Sequence, residues 1–146
     1  MRLDERLQKI EDTIENRIKD HDFEPKIRSF VFGDRARIGD VTPPAIWIFT
    51  DTSPINTVSG YAEEWTLQLV LAATFKGQDI NKVKQTAESL AIQGTSVLLK
   101  DRTLDCNVRD LTRTSWLPGT TRIEDHDKIY GAGFEMEAKF RNKIVT

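Results

Sequence analysis

Reactive side chains are scarce in this chain of 146 residues, which holds one cysteine, two histidines and five prolines. A single cysteine, Cys106, excludes an internal disulfide and fits a reducing compartment. His21 and His126 lack the spacing of a zinc motif, which needs several ligands converging on one point. Net charge is lacking too: 21 basic and 23 acidic residues leave −2, too little to draw the chain to DNA or an anionic membrane by charge alone. No apolar run approaches the ~20 residues that span a bilayer, and Met1–Glu5 shows none of the apolar core of a secretion signal. These absences point to a soluble protein kept or assembled inside a cell. A domain near this size buries roughly 68–70% of its unfolded surface, so one domain, 1–146, folds without disulfides or metal.

What is present is pattern. Trp65, Leu67, Leu69, Leu71, Ala73 and Phe75 alternate with Thr66, Gln68, Val70, Ala72 and Thr74. Side chains of a strand point alternately to its two faces, so this run has one wholly apolar face and one half-polar face. At about 3.3 Å per residue it spans roughly 33 Å. Lys76-Gly77-Gln78 then turns into a helix that Asp79 can cap, with Ile80, Val83, Ala87, Leu90 and Ala91 on one face. Val97 and Leu98 extend that face if the helix crosses Gly94, at a cost of roughly 1 kcal/mol.

The chain starts with an amphipathic helix whose stripe is Leu3, Leu7, Ile10, Ile14 and Ile18, ended by His21-Asp22 and Pro25. Ile27–Phe32 reads as a strand, 33–41 as a polar loop, and Ala45–Phe49 as a strand apolar on both faces behind Pro43-Pro44. Residues 50–60, rich in Thr, Ser, Asp and Gly, read as a second polar loop. Leu104, Cys106 and Val108 alternate as a further strand, which places Cys106 in the core as a small hydrophobe, with a bulge expected near Arg109-Asp110. Residues 117–128 read as a long turn. Tyr130 to Phe140 forms a clean final strand, with Glu135, Glu137, Lys139 and Arg141 facing away from its apolar side. The resulting class is α+β: a mainly antiparallel sheet of about five strands with two main helices packed on one face, in the order helix–βββ–helix–ββ.

No catalytic constellation emerges, so the chain reads as a non-enzyme with no cofactor and no metal. The acidic turn around His126 lacks the calcium-loop pattern. Cys106 has no base beside it, and Gly131-Ala132-Gly133 lacks the third glycine and the following helix of a dinucleotide site. Specific nucleic-acid recognition would need aromatics displayed on the sheet beside basic residues, whereas the aromatics here sit on faces that read as core. Trp47 and Trp116 read as core or, if one sheet face is open, as interface anchors. Arg35, Arg37, Trp47, Gln68 and Trp116 are therefore the candidate partner-contact residues.

The Pro-led strand "PPAIWIF", the strand-turn-helix "EEWTLQLVLAATFKGQD" with "INKVKQTAESL", and the closing "GFEMEAKFR" stand in an order that covers nearly the whole chain. That order resembles the tail terminator (tail completion) proteins of long-tailed viruses, including the lambda-type minor tail terminator; related neck and head-tail joining proteins look similar. The resemblance rests on element order, with no invariant motif. It implies a structural virion protein of the tail or neck, assembled in the host cytoplasm. Such a protein caps the tail tube as a homo-oligomeric ring, commonly a hexamer, stops tube polymerisation and docks the head or its neck protein. DNA passes through the lumen of such a ring without specific recognition, and no membrane is involved. The alternatives are a neck or head-closure protein of the same virion, or a cellular small-ligand-binding domain.

Overall fold

The computed structural model describes residues 2–33, 42–59, 62–124 and 126–143. The two loops with the most distinctive expectations divide at once: Arg35 and Arg37 lie outside the described residues, whereas 50–60 is mostly strand. Seven elements follow one another: α1 (Leu3–Asp20), β1 (Ser29–Phe32), β2 (Ala45–Ser59), β3 (Ala62–Gly77), α2 (Ile80–Leu99), β4 (Leu111–Glu124) and β5 (Asp127–Lys143). The described strands form one sheet in the order β1-β2-β3-β5-β4. β1 pairs with β2 in parallel, and every other pairing is antiparallel. The α+β reading and the helix–βββ–helix–ββ order hold.

β3 is the centre of the sheet for the reason its alternation suggests. Leu67, Leu69, Leu71 and Ala73 are buried on the face under the helices, beside Ile46 and Ile48 of β2 and Met136 and Ala138 of β5. Ile10, Ile14 and Ile18 of α1 and Leu90, Ala91 and Leu98 of α2 close the same core. The stripe of α1 is thus buried through its second half, while Leu3 and Leu7 pack at the margin. Asp79 caps α2, its carboxylate accepting from the Asn81 amide at 3.0 Å. α2 does run through Gly94, because a Cβ there would come within 2.9 Å of a Leu71 methyl. The glycine costs helix propensity and allows the helix to sit close on the sheet.

Five expectations are corrected. Residues 50–59 continue β2 and pair with β3, with register shifts between Pro54 and Asn56 and between Thr57 and Ser59. Among the described residues β1 pairs with β2 only as far as Ile48, so Pro54 has no strand on its outer side there and lies beside a bulge, the two settings in which a strand tolerates proline. The segment holding Leu104, Cys106 and Val108 is a series of turns, not a strand, with Leu104, Asp105 and Cys106 all at positive φ (48°, 59° and 64°). The Asp101 carboxylate accepts from the Thr103 and Asp105 amides and from Thr103 Oγ1, a local network that wins over strand pairing. Leu104 and Val108 still reach the core, but Cys106 is exposed rather than packed. Finally, most of 117–128 is strand: β4 and β5 form a long hairpin whose last pair is Glu124 with Asp127. The bulges of β4 fall at Arg113/Ser115 and Leu117/Thr120, not at Arg109-Asp110. A Cβ on Gly119 would land on the Tyr130 ring and the Gly131 carbonyl, so the second bulge needs glycine.

Candidate partner interface

Both helices lie on one side of the sheet, and among the described residues no helix covers the other. Its rows follow from the registers: Val31, Trp47, Ala72 and Gly133 share one row, and Asp51, Gln68 and Glu137 another. The row with small residues is the one that takes the indole. Trp47 is only 3% exposed and clusters with Ala45, Phe49, Val31, Val70 and Ala72. It offers no surface to a partner, which corrects its reading as an anchor; its Nε1 has no hydrogen-bond partner among the described residues. Gly133 in the same row is held close against β3, since a Cβ there would come within 2.6 Å of the Leu71 carbonyl oxygen.

Below that apolar row the face turns polar and open. Gln68 is exposed, between Asp51 of β2 and Glu137 of β5. A hollow of about 490 Å³ runs across the strands here, with Gly33 at one end and Thr114 and Ser115 at the other. Glu135 and Glu137 are among its walls, and on β5 they are followed on the same face by Lys139 and Arg141.

The second exposed feature lies on the helix side, along the β4 edge. Trp116 is 40% exposed and meets Phe134 edge to face, with ring centroids 4.6 Å apart. The Arg113 guanidinium stands 4.9 Å over the same Phe134 ring. It also donates to Thr95 Oγ1 at 2.7 and 3.0 Å and to Ser96 Oγ at 3.0 Å, tying the edge strand to α2. Among the described residues Trp116, Ile92 and Ile123 are the exposed large hydrophobics. β4 is an edge strand of 14 residues; the Leu111 amide and carbonyl are taken by Arg102, and beyond them no strand lies along its outer side among the described residues, which leaves an edge for a neighbouring chain. No protein-family model matches the chain, and no curated protein does so either. The interface is therefore read from its own geometry. Gln68 and Trp116 lie on opposite faces of the sheet and belong to two different surfaces.

Two details escaped the sequence reading. Phe134 and Arg113 build the Trp116 site, and the only hint was Thr95, a polar residue on the apolar face of α2. The other is a clasp on α1: Arg17 donates to the carboxylates of Asp101 at 2.7 Å and Asp105 at 2.6 Å. Arg6 reaches the Asn107 carbonyl at 3.3 Å. The Asp101 carboxyl is held well below the usual carboxylate range, first by Thr103 Oγ1, then by the Asp105 amide and Arg17. As for other chemistry, no group of three His, Cys, Asp or Glu side chains converges among the described residues. Among the described residues no helix is long and apolar enough to cross a membrane.

Proposed function

We propose that this chain is a structural virion protein that caps a viral tail tube as a homo-oligomeric ring and presents the docking surface for the head or neck. The observation that carries the reading is the helix–βββ–helix–ββ order with both helices on one sheet face and the 14-residue β4 left as an edge. A closed ring joins one patch to a different patch on its neighbour. An edge strand flanked by Trp116, Arg113 and Phe134 is one such patch, since Trp and Arg carry a large share of binding energy at interface centres. Tail-tube protein is the partner on one side of the ring and the neck or head-closure protein on the other.

The test is electron microscopy of virus particles produced without this chain. Tails of irregular, overlong length, or finished tails unjoined to heads, are expected. Tails of normal length beside heads that leak DNA would assign the chain to head closure instead, and normal infectious particles would remove both roles.

A further inference from the structure

The sheet face without helices carries a charge pattern that is its own complement. Beyond Gly133, the residues of β5 from 135 to 141 that face away from the helices are, in order, Glu135, Glu137, Lys139 and Arg141. They stand two residues apart, about 6.8 Å per step, so the row of two negative and two positive charges is roughly 20 Å long. Among the described residues none of the four makes an ion pair. Their neighbours across the strands explain this. Val70, Gln68 and Thr66 register with Glu135, Glu137 and Lys139 on β3, and Ser115 and Thr112 oppose the two glutamates on β4. Arg141 faces Glu64, whose carboxylate is taken by Arg109 at 3.3 Å; Arg109 also adjoins Lys139, its amide donating to the Lys139 carbonyl at 2.8 Å, and with Asp110 it lines a hollow beside Glu137 and Lys139 without an ion pair to either.

We infer that this face binds a second copy of the same chain, stacked face to face about a two-fold axis that crosses β5 at the level of Ala138. The axis reverses the second copy's β5. Glu137 then meets the second copy's Lys139, Glu135 meets its Arg141, and the two reciprocal contacts follow by symmetry. Gln68 comes opposite the level of the second copy's Thr66, which is buried, and neither introduces a like-charge clash. Along this row lie β2, β3, β5 and half of β4; at about 4.8 Å per strand over about 20 Å they give roughly 340 Å² in projection, less than half of the about 800 Å² per partner of a standard interface. The dimer is accordingly weak, oriented by charge and sensitive to salt. It goes beyond the tube-capping reading and does not rest on it, because a ring contact is heterologous and this one is isologous.

Sedimentation of the purified full chain tests it. Between about 0.01 M and about 1 M salt the screening length falls from about 30 Å to about 3 Å, and the dimerisation constant is expected to weaken at least about tenfold. Glu135→Lys with Glu137→Lys makes the row wholly positive, and Lys139→Glu with Arg141→Glu makes it wholly negative. Each double variant alone is expected to be monomeric at concentrations where wild type dimerises. An equal mixture of the two is expected to restore a 1:1 dimer, which also proves both variants folded. Wild type that stays monomeric at low salt up to about millimolar concentration overturns the inference. So does association, of whatever size, that neither reversal weakens or that the mixture fails to restore. Neither outcome touches the tail phenotype by which the capping role is judged.

Discussion

Arg113 on β4 places two guanidinium nitrogens on the hydroxyl of Thr95, a fully buried residue of α2, at 2.7 and 3.0 Å. That hydroxyl donates in turn to the Ala91 carbonyl at 3.1 Å. The pair is the polar link between the edge strand and the helix layer. Hydrogen bonds to a charged group contribute about 1.5–3 kcal/mol, with the low end apt for an exposed arginine. Arg113→Ala is therefore expected to lower stability by about 1–2 kcal/mol in urea unfolding. Loss of less than a few tenths would mean that the bond is not held in solution.

Gly94 and Gly119 both occupy space that a methyl would need, but their neighbours differ. At Gly94 the obstacle is the end of the Leu71 side chain, which can shift; at Gly119 it includes the Gly131 backbone carbonyl. Gly94→Ala regains about 1 kcal/mol of helix propensity against about 1–3 kcal/mol of overpacking, so a small net loss is expected. Gly119→Ala has no such compensation and should destabilise more, by about 2 kcal/mol or above. Thermal midpoints of the two variants check the order, and the reverse order would mean that the second bulge adapts.

The clasp on α1 should resist acid. Asp101 has its folded pKa depressed, so its contribution is present above the unfolded value, about 3.9, and is lost only as pH falls through the folded value, below the usual carboxylate range. Carboxyl titration by NMR is expected to show Asp101 still ionised at pH about 4, where ordinary carboxylates are half protonated. Asp101→Asn should flatten the acid side of the stability profile. A normal Asp101 midpoint would show that Thr103 and Arg17 do not hold it.

Trp116 tests the β4 flank without disturbing the core. Edge-to-face aromatic pairs contribute about 0.5–1.5 kcal/mol, so Trp116→Ala should fold with a loss near 1 kcal/mol. On the capping reading it should fail to restore normal tail length in particles lacking the wild-type chain. Full restoration by this variant would remove the flank from the ring contact.

The parts of the fold visible in the sequence are those where side-chain period alone decides. Trp65–Phe75 and Tyr130–Phe140 alternate without a break, and Ile10, Ile14 and Ile18 repeat at helical spacing. Residues 50–59 look like a loop because Thr, Ser, Asp and Pro are turn formers, yet backbone pairing with β3 holds them extended. Leu104, Cys106 and Val108 imitate a strand, and the acceptor that overrides the pattern, Asp101, lies three residues upstream. The site was less legible. Whether Trp47 is covered depends on its registering with Ala72 and Gly133, far away in sequence. Trp116 owes its setting to Arg113 and Phe134 from two strands.

The register of β3 with β5 bears on how the chain finds its shape. β2–β3 and β4–β5 are hairpins of neighbouring segments, whereas Ala62 pairs with Lys143 and Gly77 with Lys128 across the whole of α2. The molecule is thus two locally formed halves joined along one distant seam. Closing a long loop is the slow, entropically costly part of forming such contacts. Substitutions along the seam, such as Leu69→Ala, should slow folding, and those confined to a hairpin end should mainly speed unfolding.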